Sequence, residues 1–270
     1  MQTARNEGLK LRWRWIALCA AVALAIGCDS DDSSDAHDGG GAHEIHWGYE
    51  AENGPAKWAT LSSDYALCAD GQEQSPIDLT GATAVDPIGL TPAWQASPAS
   101  VVDNGHTVQV NLDRGGTLTL DGTPYTLRQF HLHAPSEHTV ESHAAPLEVH
   151  LVHSTDDGHL AVVGVLIEEG AADPTLAAVF AHLPEMENEP VALPDPIDAS
   201  ALLPADHSAW RYAGSLTTPP CSEGVRWTVL KTPMHASAEQ ISAFRNLHAG
   251  NARPAQPINS RTLTLDAPPG

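Results

Sequence analysis

The chain has 270 residues, 42% of them hydrophobic, and a formal charge of −21, from 34 acidic residues against 13 Lys and Arg. That length buries a sizeable core, in one large domain or two small ones. The charge excludes nucleic acid as a partner and a polybasic membrane patch, since both need clustered Lys and Arg.

In chain order, the first segment stands apart. Arg5, Lys10, Arg12 and Arg14 precede the apolar run WIALCAAVALAIG, which ends at Cys28. The run is short for a spanning helix and has the basic and apolar regions of a secretory signal. LAIGC resembles a bacterial lipoprotein cleavage box, with Ala25 where Leu is commoner; the alternatives are an ordinary signal peptide cut a little later and an uncleaved anchor. The box implies removal of residues 1–27, a lipid on Cys28 as the only membrane attachment, and a location in the periplasm or cell envelope; mass spectrometry of the mature N-terminus tests this. Cleavage would remove four basic residues and one acid, taking the formal charge from −21 to −24. Residues 28–44, rich in Asp, Ser and Gly and without apolar periodicity, read as an acidic flexible tether.

From 45 to 270 there is no second linker and no repeat. Short apolar segments punctuated by Gly, Pro, Asn and Asp predict one mainly β domain. Strands are expected at 108–112, 116–120, 125–133, 147–153, 160–168, 225–230 and 262–265, separated by turn signals such as DRGG and DDGH that favour antiparallel hairpins. Helices are few: 174–182 and 238–247, the second with Ser237 as its N-cap. Cys19 and Cys28 belong to the signal segment. In an exported protein the remaining pair, Cys68 and Cys221, is expected to form a disulfide; the alternative, thiolate metal ligation, lacks a Cys or His partner at finger-like spacing.

The chemistry concentrates in QFHLHAPSEHTV. On a strand, alternation sends His131 and His133 to one face and Phe130 and Leu132 to the other. A second segment, LEVHLVH, puts Glu148, His150 and Val152 on a common face. If the two strands pair, three imidazoles meet and leave a fourth tetrahedral position open, the pattern of a catalytic zinc site. Glu148 is then placed to accept the second ring N–H of a ligand histidine. One H-x-H pair alone would more often be a hydrogen-bonded surface pair; the second histidine strand with its own acid reverses that balance. His153 falls on the opposite face, and His138, after the Pro135 turn, reads as a buried hydrogen-bonding residue.

These two fragments, with HWGYE, QSPIDL, DNGH, YAGSLTTPPC, VRWTVL and PAQPIN, occur in the order in which they are found in the α-class carbonic anhydrases, and the chain resembles that family from 45 to about 265. The resemblance implies a large twisted, mostly antiparallel central sheet with a few short peripheral helices. It implies a zinc enzyme that hydrates CO2 reversibly to bicarbonate and a proton by zinc-bound hydroxide. His131, His133 and His150 become zinc ligands, with Gln129 and Glu148 orienting them. Thr217 and Glu137 match the pair that aims the hydroxide, and His106 matches the proton shuttle. Tyr49 and Asn104 match residues that hold the intervening water chain, and Gln109 stands where the family varies. Val152, Val162, Leu216 and Trp227 match the apolar wall that receives CO2. Cys68 and Cys221 match the disulfide of bacterial and several secreted members, and the peptide bonds before the prolines matching Pro76 and Pro220 are commonly cis in the family. Two positions depart from the pattern, Leu132 for an aromatic and Ala213 for a proline, neither in the chemistry. Two competing readings remain: a catalytically silent binding module on the same fold, and a periplasmic zinc scavenger with several metal sites.

Overall fold

The structure is a computed structural model that describes residues 45–266 apart from 87 and 89. The expected signal, the tether and Cys28 lie outside the described residues. Among the described residues there are four α-helices: α1 (Trp58–Leu61), α2 (Leu67–Asp70), α3 (Pro174–Phe180) and α4 (Ala238–His248). The strands are β1 (Thr83–Val85), β2 (Pro92–Trp94), β3 (Ala99–Asp103), β4 (Val108–Leu112), β5 (Gly116–Leu120), β6 (Thr123–His133) and β7 (Thr139–Val140). They continue with β8 (His143–Ala144), β9 (Leu147–Ser154), β10 (Leu160–Glu169), β11 (Val191–Ala192), β12 (Ala209–Ser215), β13 (Glu223–Ala236) and β14 (Thr264–Asp266).

One large sheet runs β1-β14-β12-β13-β10-β9-β6-β4-β3-β11, with β5 also on β6 and β2 on β5. Its pairs are antiparallel except β10 with β13 and β1 with β14. The sheet is therefore mixed, because a long excursion through α3, β11 and β12 separates β10 from β13 and returns the chain in the same direction. The expected strands at 225–230 and 262–265 belong to the longer β13 and the shorter β14, and the short β1, β2, β7, β8 and β11 together with β3 and β12 were not expected.

The sheet has two unlike faces. One carries the main apolar core, where Phe130, Leu132, Val149, Leu151, Val163 and Val165 meet Leu176 and Val179 of α3 and Ile241 and Phe244 of α4. Both helices are capped as their sequences demand. Asp173 accepts from the Leu176 N–H with Pro174 following, and Ser237 and Gln240 form a reciprocal capping box. Gln240 also bonds Asp173 through its amide, N–H to carbonyl in both directions, which ties the start of α3 to α4.

A bulge in β6 sets up the opposite face. Between Leu127 and Gln129 the register against β9 slips by one residue. Tyr125 and Leu127 sit in the core before the slip, and Phe130 and Leu132 after it. Without it, strict alternation would drive His131 and His133 into the apolar core.

His153 lies on the core face, fully buried, stacked on Trp94 with ring centroids 5.3 Å apart. Neither ring nitrogen has a hydrogen bond of ordinary geometry, and burial pushes its pKa from 6.5 down to about 4, the nearby Ala161 and Leu151 carbonyls opposing without cancelling. On acidification the unfolded chain takes up this proton first, so stability is whole above pH 6.5 and falls until about pH 4. The loss is about 3 kcal/mol across that window. His153→Phe is expected to remove that much of the pH slope in chemical denaturation; parallel curves for the two proteins would refute the assignment.

A candidate metal centre on the polar face of the sheet

Pairing of β6 with β9 sets His131 directly opposite His150, His133 opposite Glu148, and Gln129 opposite Val152. The three candidate rings come within 4.6–5.3 Å, centroid to centroid. Ligand nitrogens from all three lie within 4.8 Å of one another.

Each ring has one nitrogen already engaged. His131 Nδ1 donates to Gln129 Oε1 at 2.8 Å, His133 Nδ1 to the Asn251 carbonyl at 2.7 Å, and His150 Nε2 to Glu148 Oε1 at 2.9 Å. These acceptors fix the tautomers, so lone pairs remain on His131 Nε2, His133 Nε2 and His150 Nδ1. Burial comes first in holding all three pKa values below the ordinary imidazole range. Repulsion from a neighbouring histidine adds to it at each ring, while Glu148 opposes it at all three and the Asn251 carbonyl opposes it at His133. Neutral imidazoles with convergent lone pairs are what a divalent nitrogen-seeking cation requires. His133 Nε2 is buried without a partner, an orphan that such a cation would satisfy. The residues present therefore fit zinc.

Glu148 is the anchor beneath. It is fully buried, and its Oε1 also accepts from His138 Nδ1 at 2.7 Å, while Oε2 accepts the backbone N–H of Glu137 and His138 at 2.9 Å. Burial would raise its pKa, but the histidines and their hydrogen bonds hold it well below the usual carboxylate range. His138 continues the chain through Nε2 to Tyr212 Oη at 2.7 Å, and Tyr212 donates to Ser75 Oγ. His138, Glu148 and His150 also lie close enough to suggest a second metal group; their facing atoms already bond one another, so the cluster is a hydrogen-bond network. Room for the Glu148 carboxylate comes from Gly164, opposite His150 on β10, where a Cβ would sit 2.9 Å from Glu148 Oε1.

Glu137 and Thr217 are both buried at the site. Glu137 Oε1 accepts the Arg253 N–H at 2.8 Å, and Oε2 lies 3.5 Å from His133 Nε2. Burial raises Glu137 to about 7 against the pull of His150, the Arg253 N–H and the Thr217 hydroxyl. The Thr217 hydroxyl thus acts on the carboxylate, yet Oε2 has no hydrogen bond of ordinary geometry.

The apolar residues line up across the sheet. Val152, Val162 and Trp227 occupy one row on β9, β10 and β13, with Leu216 packed against the same cluster. Trp227 is held by its Nε1–H donating to the Ser215 carbonyl at 2.9 Å. His106 is half-buried and stacks on Trp47, centroids 3.8 Å apart and planes 12° from parallel. Its pKa is lowered, first by burial and then by His46 and His248, with Asp103 opposing. Tyr49 packs edge-on against Trp47 and Trp58; burial and then the Glu137 charge raise its pKa well above the phenol range. Asn104 spends its Oδ1 on the N–H groups of His106 and Thr107, so its acceptor shapes the loop that carries His106 and only its amide N–H2 is left for water. Gln109 donates to Asn111.

Cys68 and Cys221 form a disulfide. The bonds before Pro76 and Pro220 are cis as the resemblance implied, and so is the bond before Pro135, which the residue pattern read only as a turn. Sequence reasoning also missed Asn251 and Arg253. Arg253 is buried and donates to Gln74, Ser75 and Cys68 acceptors.

Against known proteins, the family model described as eukaryotic-type carbonic anhydrase matches residues 53–266. A carbonic anhydrase of Pectobacterium carotovorum is 45% identical over 91% of this chain and 98% of that protein. One of a Nostoc species is 42% identical over 84% of this chain and 88% of that protein. The α-carbonic anhydrase of Thermovibrio ammonificans, solved with the inhibitor sulfanilamide, superposes with a TM-score of 0.79 at 41% identity, covering 82% of this chain and 99% of that one. With the family model spanning nearly all the described residues and the imidazole cluster in place, this chain belongs to the eukaryotic-type carbonic anhydrases, a family of CO2-hydrating enzymes.

Proposed function

We propose that the chain hydrates CO2 to bicarbonate and a proton, reversibly, using zinc held by His131, His133 and His150, with His106 as the proton shuttle. The observation that carries this reading is the set of three convergent imidazoles, each with its outer nitrogen committed to a different acceptor. Zinc there supplies Lewis acidity that lowers the pKa of the water it binds to about 7, a value established on carbonic anhydrases as a class.

The chain's own residues do the rest. A hydroxyl has one proton, and Thr217 spends it on Glu137 Oε2, the oxygen still lacking a partner, so that it presents only lone pairs to the reacting water. CO2 carries no charge to grip, and Val152, Val162, Leu216 and Trp227 give it an apolar wall beside the imidazoles. Bicarbonate leaves, and the proton left behind passes through water held by Tyr49 and Asn104 to His106. Half exposure suits a shuttle, which must reach both the site and the solvent. The disulfide is consistent with the export read from the first 28 residues, since such bonds persist in oxidising compartments.

The test is stopped-flow CO2 hydration before and after a chelator, with calorimetric titration of zinc back into the stripped protein. One tight site and activity that returns with one equivalent are expected. A folded, zinc-loaded protein without hydration would sustain the silent binding module, and several weak, fast-exchanging sites the zinc scavenger.

A further inference from the structure

The segment that leaves α4 bonds to His133, to Glu137 and to the backbone of His106. Gly250, at φ 80°, donates its N–H to the Ala134 carbonyl. Asn251 follows, buried to 3% exposure. Its own carbonyl receives His133 Nδ1 at 2.7 Å. Its side chain does more. Oδ1 accepts the Ala134 N–H at 2.8 Å, and Nδ2 donates to the carbonyls of Leu132 and His106, both at 3.0 Å. Both N–H bonds of the amide and its oxygen are thus committed inside the protein.

The bond to His106 is the informative one. Within the loop Asp103–Thr107, Asp103 Oδ1 accepts the Gly105 N–H and Asn104 Oδ1 accepts the N–H groups of His106 and Thr107. Those contacts fix the shape of the loop; its place is set by His248 Nε2 and the Asn188 N–H on Asp103, by Thr107 Oγ1 on the Leu132 carbonyl and by Trp47 under the His106 ring, none of which reaches the His106 carbonyl. Leu132 does not depend on Asn251 alone, because Thr107 Oγ1 also donates to its carbonyl at 2.5 Å. The His106 carbonyl has no second donor of this kind among the described hydrogen bonds. Asn251 Nδ2 therefore joins the backbone of the shuttle loop to the strand end that carries His133.

We infer that Asn251 is a positioning residue for proton export: its side-chain amide holds His106 at a set distance from the centre formed by His131, His133 and His150. The inference rests on the shuttle reading of His106. A proton relay through water depends steeply on geometry, and misplacement by about 1 Å can cost roughly a hundredfold in rate. Proton export happens after bicarbonate has left, so a fault there enters kcat and leaves kcat/KM for CO2 intact.

The experiment compares wild type, Asn251→Ala and Asn251→Asp, all as zinc-loaded full chains. Asn251→Asp keeps an acceptor for the Ala134 N–H and removes Nδ2. Steady-state hydration is measured in dilute buffer and in excess imidazole, with bound zinc and thermal midpoint recorded for each. For Asn251→Ala, kcat in dilute buffer is expected to fall about tenfold and to recover in imidazole, while kcat/KM stays within about threefold. Asn251→Asp, which sets a carboxylate oxygen against the His106 and Leu132 carbonyls in place of their donor, should shift in the same direction and at least as far. Parallel loss of kcat and kcat/KM without rescue, or loss of zinc, would show that Asn251 acts only through His133 and overturn the inference. Unchanged kcat in both variants would overturn it too. The shuttle reading is tested apart by His106→Ala: if that variant keeps full kcat in dilute buffer, the shuttle assignment fails and this inference with it.

Discussion

His150→Ala is expected to abolish tight zinc binding and to bring CO2 hydration down to the uncatalysed rate. His150 is the one candidate ligand from β9: its ring is 5.3 Å from His131 and 4.6 Å from His133, and of the three it alone is tied to the buried Glu148. Two remaining imidazoles on one strand do not make a closed site. Glu148→Gln is the finer probe of the same centre. The carboxylate accepts four N–H groups, two from histidine rings at Oε1 and two from the backbone at Oε2. A Gln amide has one oxygen, so its NH2 must face one of those donor pairs. If it faces the rings, His150 Nε2 must become an acceptor and the ring proton moves to Nδ1, the nitrogen needed for the metal. If it faces the backbone, two N–H groups lose their acceptor in a fully buried place. Zinc affinity is expected to fall roughly 10- to 100-fold, the range known for such supporting partners in carbonic anhydrases and other metalloenzymes. Competition with a chromophoric chelator measures it. Wild-type affinity in Glu148→Gln would show that the carboxylate is structural only.

Much of this centre was legible because the imidazoles obey a local rule. Period-two alternation put His131 with His133 and Glu148 with His150, and those strands are adjacent in the sheet. What could not be read depends on distant chain. Asn251 lies 118 residues from His133, and Arg253 lies 116 from Glu137, each placed by a short loop after α4 with no periodic signal. The parallel pairing of β10 with β13 is likewise a property of the excursion between them. β12 escaped notice because AWRYAGS mixes small residues into the strand. Gly214 is small there for a tertiary reason, since a Cβ would crowd the Ser75 Oγ and the Trp227 ring. Local propensity argues against a strand at that position, and packing overrides it. The motif resemblance supplied what periodicity lacked, above all the link between Thr217 and Glu137, two buried residues that read in isolation as a loop threonine and a surface acid.

Replacing both Cys68 and Cys221 by Ala is expected to cost about 2–5 kcal/mol of unfolding free energy while leaving most of the catalysis in place. The two residues are 153 apart in sequence, and closing a loop of that length removes on the order of 5 kcal/mol of chain entropy from the unfolded state. Residual structure in the unfolded chain lowers the figure, so 5 is the upper end. The catalytic loop itself does not hang on the bridge. Leu216 donates to the Ser222 carbonyl and Cys221 to the Thr218 carbonyl. The Gln74 amide holds the Cys221 carbonyl, and Arg253 holds that of Cys68. These bonds survive the double substitution, so Thr217 should keep its place and kcat/KM should stay within about threefold. Urea denaturation at fixed zinc concentration, paired with stopped-flow hydration, separates the two effects, because bound zinc adds the same stabilisation to both proteins. A large fall in kcat/KM with unchanged stability would reverse the assignment and make the disulfide a brace for the catalytic loop in the native state, with little effect on the unfolded chain.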